Sequence, residues 1–425
     1  MKYTEQVYYD NVCVTRVTPT DEVIVRFALT ARVKGYLTRS SESALNLFAA
    51  LALSGTKRRS KEALEDYLKR NGIALEIKAG RGDVTLVGHV RSKNLSYAVA
   101  IIQEILLEPR IAKNEFNEKK KLAREHNREE HDNAKRIAYT HFIRSLFTKD
   151  SFIYAQTLEE ELKDITTVTQ KALETLTHAL IESEWFLTVV GNQSSEKTFL
   201  PLIHRLAHGA QHVPRGITST VPHAQKNSFT PVMGKANIEV FLGKTVPLTM
   251  KDADFIPLEF GMNVLGKIGG FSGRLMSTVR EKEGLTYGIY AHLATPNFGH
   301  TTHWSIKTFF TAADYAKGLA STKRELTNIV EKGITQKELK TFKEILANAA
   351  ILAHDSSTLR LAQYHGLARA GYTETDYEDM LNRIHTLTVR EVNAALKNYI
   401  HPQAFVLSAA GPIDTQGKPL ITATT

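Results

Sequence analysis

The 425-residue chain contains a single cysteine, Cys13, so a disulfide framework is excluded. It has no apolar run near the about 18 residues that read as a membrane-spanning helix, and no membrane span is expected. The opening residues, MKYTEQVYYDNVCV, lack an apolar segment behind a basic start, and this sets an expectation of cytoplasmic residence without a secretory signal. No nucleic-acid recognition motif is present either. The net charge of +9 favours acidic partners or acidic peptides. Its basic residues, such as Lys119, Lys120, Lys121 and Arg124, are interleaved with Glu118 and Glu125, the pattern of a solvated helix face rather than a phosphate track. What remains, 42% hydrophobic and 23% charged residues, is the composition of a globular chain long enough for two to three domains.

Elements can be read from periodicity. Val23 to Val33 is rich in β-branched residues and reads as a strand, and Leu75 to Lys78 and Val84 to Val90 read likewise. Ser43 to Leu53, Ser60 to Lys69, Tyr97 to Leu107 and Leu173 to Ile181 have helical spacing, and Ala112 to Phe147 reads as one long charged, largely helical stretch. Trp185 to Val190 is a strand ending at Gly191. From Gly209 to Gly234 the chain is polar, bears Pro214, Pro222 and Pro231, and has no period, so it reads as a linker. The tail beyond Pro412 is polar and is expected to be loose.

The second half repeats the first. Tyr97-Ala98 recurs as Tyr315-Ala316, the run Ile111 to Phe116 as Ile334 to Leu339, Ile165 to Thr169 as Ile384 to Thr388, and the strand ending at Gly191 as Phe405 to Ala410 ending at Gly411. Four matches in one order, offset by 218 to 223 residues, point to an internal duplication. The expected organisation is an N-terminal domain over 1–208, a linker over 209–234 and a C-terminal domain over 235–425, each an α+β domain with a sheet covered by helices.

Two segments carry a resemblance. Ser54-Gly55-Thr56-Lys57-Arg58-Arg59-Ser60 lies between an apolar and an amphipathic helix. Leu265 to Leu275, with Gly266, Gly269, Gly270, Ser272, Gly273 and Arg274, leads into Val279-Arg280-Glu281-Lys282-Glu283-Gly284-Leu285-Thr286-Tyr287. On these residues the chain resembles the insulinase/pitrilysin, or inverzincin, metallopeptidases, which include the mitochondrial-processing-peptidase type, along nearly its whole length. The resemblance implies two homologous domains, each a mostly antiparallel sheet covered by helices, forming half of a clamshell. In that family a helix bearing H-x-x-E-H precedes a Gly-Thr turn. Its histidines, one helical turn apart, hold zinc, and its glutamate polarises water. Registering on Gly55-Thr56 places those three positions at Asn46, Ala49 and Ala50, and the third ligand position at His126, beside Glu125. Alanine offers neither a lone pair nor a base, so no metal is expected in this chain and no peptide hydrolysis by it alone.

The second segment keeps what the family uses to bind substrate. Arg280 and Tyr287, seven apart as the motif requires, match the family's Arg, which binds the peptide main chain, and its Tyr, which supports the oxyanion. The glycine cluster lacks the Gly-Lys-Ser/Thr ending of a phosphate loop. The resemblance implies a heterodimer in which a zinc-bearing homologous subunit supplies the metal and this chain supplies Arg280 and Tyr287 to an extended peptide substrate, added as an edge strand. Without that partner a homodimer is open to it. The alternative is a non-catalytic scaffold or peptide-binding homodimer of the same fold. A displaced zinc site at His126 and His131 has no support in ligand spacing, and Glu129 and Glu130 beside them read as solvated helix surface. His204, His208 and His212 share a face only if the helix continues through Gly209, and no carboxylate or cysteine joins them. No spacing assigns a role to Tyr8, Tyr9 or Tyr290.

Overall fold

A computed structural model of the chain describes residues 4–18, 23–33, 42–149, 151, 153–192, 195–207, 221, 226–266, 273–294 and 302–420. Its strands form two sheets. The first holds β1 (Thr4–Tyr9), β2 (Val12–Val17), β3 (Ile24–Arg32), β4 (Ala74–Gly80), β5 (Asp83–Arg91) and β6 (Glu184–Val190), in the order β1-β2-β6-β3-β5-β4. The second holds β7 (Ser228–Pro231), β8 (Asn237–Val246), β9 (Ile289–Leu293), β10 (Thr302–Thr311) and β11 (Val406–Gly411), in the order β7-β11-β8-β10-β9. Leaving β1 aside, the two orders correspond strand for strand. In each sheet a single pair is parallel, β2 with β6 and β7 with β11, and the other pairs are antiparallel.

The first repeat contributes helices α1 (Glu42–Leu51), α2 (Lys61–Arg70), α3 (Leu95–Leu107), α4 (Lys113–Glu129), α5 (Ala134–Leu146), α6 (Leu158–Thr167), α7 (Gln170–Ile181) and α8 (Ser195–Leu206). The second contributes α9 (Phe255–Gly266), α10 (Tyr315–Lys332), α11 (Gln336–Asp355), α12 (Ser357–Ala370), α13 (Glu374–Thr386) and α14 (Val389–Tyr399). The repeated threonines have a physical role. Thr169 and Thr388 are N-caps, accepting hydrogen bonds from the amides of Ala172 and Glu391. A second repeated device escaped the sequence reading. Lys120 Nζ donates to the carbonyls of Thr166 and Val168, and Lys343 Nζ to those of His385 and Leu387, so in both repeats a lysine satisfies carbonyls at the end of a helix.

The stretch 112–147 is two helices rather than one. Asn133 has extended ψ and its side chain accepts from the Arg136 amide, which stops α4 and starts α5. Ser228 to Pro231, inside the aperiodic 209–234 stretch, is β7; much of the rest of that stretch lies outside the described residues. The tail is not loose as far as Leu420. Ile413 is fully buried and bridges to Pro419, and the Asp414 carboxylate accepts from the amides of Gln416 and Lys418.

The chain forms two compact units of three segments each: 1–128, 158–214 and 350–377 in the first, and 129–157, 215–349 and 378–425 in the second. Each unit has its own apolar core on one face of its sheet, around Phe27, Phe48 and Trp185 in the first and Trp304, Phe255 and Phe310 in the second. The other face of the first sheet is covered by α12, and that of the second by α5. Each sheet is therefore covered on that side by a helix belonging to the other repeat.

Candidate functional site

Helix α1 buries Ala44, Leu45, Leu47, Phe48 and Leu51. Helical spacing then leaves 46, 49 and 50 on the opposite side: Asn46 and Ala50 are exposed and Ala49 is half-buried. The turn that follows is firmly built. Gly55 sits at φ +124°, where a Cβ would lie 2.9 Å from the Arg59 carbonyl. Thr56 Oγ1 accepts from the amides of Arg58 and Arg59 and donates to Glu104 at 3.1 Å. Arg58 grips Glu108 through two hydrogen bonds, at 2.8 and 3.1 Å. His126 is exposed near the end of α4, with Glu125 half-buried and 3.8 Å from Lys121. Asn46, Ala49 and Ala50 thus occupy an accessible helix face that offers neither imidazole nor carboxylate, and these positions do not fit a zinc ion.

Arg280 and Tyr287 lie in the second unit, on and just after a π-helical turn, Met276–Lys282. Such wide turns are rare and frequent at functional sites. Leu275, Met276 and Val279 are buried and fasten the turn to the core. Arg274 pairs with both oxygens of Glu338, at 2.7 and 2.8 Å, and donates to the Gly333 carbonyl. The turn closes with Glu283 and Leu285 donating to the carbonyls of Thr278 and Val279, and with Gly284 at φ +64°. Thr286 is buried and bonded to Gly288 and Thr308. Thr286 and Gly288 on either side are buried, and Tyr287 between them is 73% exposed. The Arg280 guanidinium lies 4.9 Å from the centre of the Tyr287 ring. A contact of this kind contributes about 0.5–1 kcal/mol at an exposed site. It brings together a five-donor fork and a neutral hydroxyl donor at the surface, a pair suited to peptide or carboxylate oxygens. Lys267 to Ser272, the middle of the glycine-rich segment, lies outside the described residues.

A family model described as Insulinase (Peptidase family M16) matches residues 45–152, and one described as Peptidase M16 inactive domain matches 186–346, together more than half of the chain. The chain belongs to the insulinase family. Among its insulinase-family relatives, the Non-peptidase homolog YmxG of Helicobacter pylori is 23% identical over 373 residues, covering 83% of this chain and 80% of that protein. A protein named as an uncharacterized zinc protease of Mycobacterium tuberculosis is 20% identical over 371 residues, covering 82% of this chain and 80% of that protein. The fold is that of a peptidase M16 inactive domain from Pseudomonas fluorescens, with a TM-score of 0.84 at 19% identity, covering 98% of this chain and 100% of that one. It is also similar to the periplasmic protease PqqL from Escherichia coli, with a TM-score of 0.78 at 14% identity, covering 97% of this chain and 46% of that one.

The remaining histidine groups of this insulinase-family chain stay apart. Among the described residues no three His, Cys, Asp or Glu side chains are grouped to hold a metal. His126, Glu129 and His131 are exposed, and Glu130 accepts from Asn133 at 2.8 Å. His204 is exposed with its ring edge-on to Tyr9, while His208 and His212 lie outside the described residues. Among the described residues no helix is long and apolar enough to cross a membrane. Sequence reasoning missed His365, which is buried between the hydroxyls of Thr30 and Thr188 at 2.7 and 3.0 Å. It has no motif, because its partners come from strands more than 170 residues upstream.

Proposed function

We propose that this insulinase-family chain is the zinc-free subunit of a two-chain peptidase. Arg280 and Tyr287 act on peptide held against a zinc-bearing homologous subunit. The observation that carries this reading is the Arg280–Tyr287 stack, a half-buried guanidinium from a π-helical turn against a tyrosine ring that is 73% exposed. A scaffold has no use for such a pair, and α1, which lacks zinc ligands, leaves the chain nothing to do with it alone. The partner brings the zinc and with it the activated water. Arg280 holds a main-chain carbonyl of the extended peptide through its fork, and the Tyr287 hydroxyl donates to the oxyanion as it forms. Preorganised donors of this kind typically contribute about 100- to 1,000-fold in rate each.

The test is co-expression with a homologue bearing an intact H-x-x-E-H. Neither chain alone should hydrolyse an unfolded peptide, and the co-purified pair should. Arg280→Ala with Tyr287→Phe should leave the pair associated and lower kcat/KM by at least about 100-fold. Hydrolysis at the wild-type rate by an intact variant pair overturns the role of these residues. Failure of the chain to associate with any zinc-bearing homologue, with a stable homodimer in its place, favours the scaffold reading.

A further inference from the structure

The second unit has a cleft of about 490 Å³ between the start of α5 and the face of β9 and β10 that points away from the apolar core. This is the usual volume of a small-ligand site. Strand alternation builds it. Trp304 and Ile306 enter the core, so His303, Ser305 and Lys307 share the other face; Ile289, Ala291 and Leu293 enter the core, so Tyr290 and His292 stand beside them. Lys307 is paired across the strands with Tyr290 and with Phe241, and its Nζ lies 5.3 Å from the Tyr290 ring centre. Tyr139 of α5 packs its ring 5.5 Å from that of Phe241 and closes the apolar wall.

The charge of this cleft is one-sided. Lys135, Arg136 and Lys307 line it, and no carboxylate does. Arg136 comes within 3.9 Å of Glu130, and Lys135 lies in the field of Glu239, but neither acid is part of the lining. Asn133, the N-cap of α5, is also in the wall, so the positive end of that helix adds to the field. A second observation is independent of charge. His303 is only 7% exposed, and its Nδ1 is buried without a hydrogen-bond partner among the described residues. A buried polar atom left in that state costs about 1–3 kcal/mol, so its presence in a cleft wall points to a ligand or ordered molecule there.

We propose that this cleft binds a carboxylate carried on an apolar or aromatic body. Lys135 and Lys307 meet the charge, and Tyr139, Phe241 and Tyr290 enclose the body. Neither Arg280 nor Tyr287 lines it, and the proposal does not depend on the peptidase reading. The carboxylate could belong to a free acid or to the C-terminal residue of a peptide, and the test separates these sources. Calorimetric titration of the full chain compares 3-phenylpropionate, its amide and 3-phenylpropylamine, then the peptide Ala-Ala-Phe as free acid and as C-terminal amide. At least one acid should bind with a Kd of about 0.1–1 mM, at least tenfold tighter than its amide, and the amine should not bind. Whichever acid binds identifies the source. Lys135→Gln with Lys307→Gln, both exposed positions, should weaken that acid by at least about tenfold with an unchanged thermal transition. Equal binding of acid and amide, wild-type affinity in the double variant, or no saturable binding of either acid up to about 10 mM would each overturn the proposal.

Discussion

The two units share one strand order, yet they seal the outer faces of their sheets by different means. In the first, α12 packs Leu361 and Tyr364 on Val17, Ala28 and Val190, and polar links run beside that apolar contact. His365 joins Thr30 to Thr188, Arg32 pairs with Glu184 at 2.7 Å, and Arg369 pairs with Asp83. In the second, α5 lies on aromatic packing, with Phe142 between the rings of Phe241 and His303, and with hydroxyl bonds from Ser408 to the Ala138 carbonyl and between Ser228 and His141. The polar seal matches most of its groups but leaves Arg369 Nε buried without a partner among the described residues. The aromatic one leaves an open cleft and an orphaned imidazole nitrogen. What both units keep is backbone chemistry: the capping threonines and the lysines over helix ends. A duplicated fold is thus held by topology and caps, while the side chains on its faces are free to diverge. The two family motifs obey the same rule. Helix α1 offers neither imidazole nor carboxylate at Asn46, Ala49 and Ala50, while the Gly55-Thr56 turn that follows it is closely bonded, because that turn is structural. Arg280 and Tyr287 instead meet side chain to side chain, the guanidinium 4.9 Å from the ring centre.

The sharpest way to break this comparison is to build a zinc site on α1. Asn46→His, Ala49→Glu, Ala50→His and His126→Glu together restore the ligand types of the family motif. If the first unit has kept the scaffold, metal analysis should rise from no stoichiometric zinc to about one zinc per chain, removable by EDTA. A folded variant without zinc would mean that α1 and α4 have drifted out of register with the motif. The next largest effects come from the seals. Phe142→Ala should cost roughly 3–5 kcal/mol through a cavity in the second unit. Glu184→Ala should cost a similar amount in the first by stranding the buried Arg32. The difference appears in rescue, followed by denaturant unfolding. Arg32→Met with Glu184→Leu should recover most of the loss, since an apolar pair can replace a buried ion pair. If that double variant remains as unstable as Glu184→Ala, the polar seal is specific and not interchangeable.

Much of this organisation was legible in the sequence because the long elements are strongly periodic and the caps recur at a constant offset. The strands β3 and β6, helices α1 to α3 and α7, and the paired Arg280 and Tyr287 all have local signals. Other elements do not. β7 has four residues and β9 five, too short to show alternation. Helix α9 is buried on nearly every side, so its apolar residues form no stripe. The hairpin of β1 and β2 turns on Asp10-Asn11, with Asp10 at φ +50°, a turn signal that was there to be read. The cleft of the second unit was illegible for a deeper reason. Its walls come from a helix of one repeat and strands of the other, more than 100 residues apart, and only the fold makes them neighbours.

A smaller effect tests what the units have in common. Lys120→Met and Lys343→Met should each cost roughly 1.5–3 kcal/mol, the usual loss for a charged hydrogen bond, and by similar amounts in the two units. Unequal losses in denaturant unfolding would show that the repeated lysines are not equivalent. The smallest effect separates the units by acid. Burial, helped by Arg369, pushes His365 down to about 3, and burial, helped by His292, pushes His303 down to about 4. Each imidazole is neutral when folded and takes up a proton near pH 6.5 when unfolded. The unfolded chain therefore binds more protons below pH 6.5, and stability falls as the pH falls. Between pH 7 and 5.5 each histidine should remove about 1 kcal/mol. The loss from His303 should level off near pH 4, while that from His365 continues to pH 3. Replacing His365 with Gln should flatten the acid slope of the first unit and leave that of the second unchanged, followed by amide hydrogen exchange resolved to each sheet. If both slopes flatten together, the two units do not unfold independently, and the difference between their seals is not felt locally.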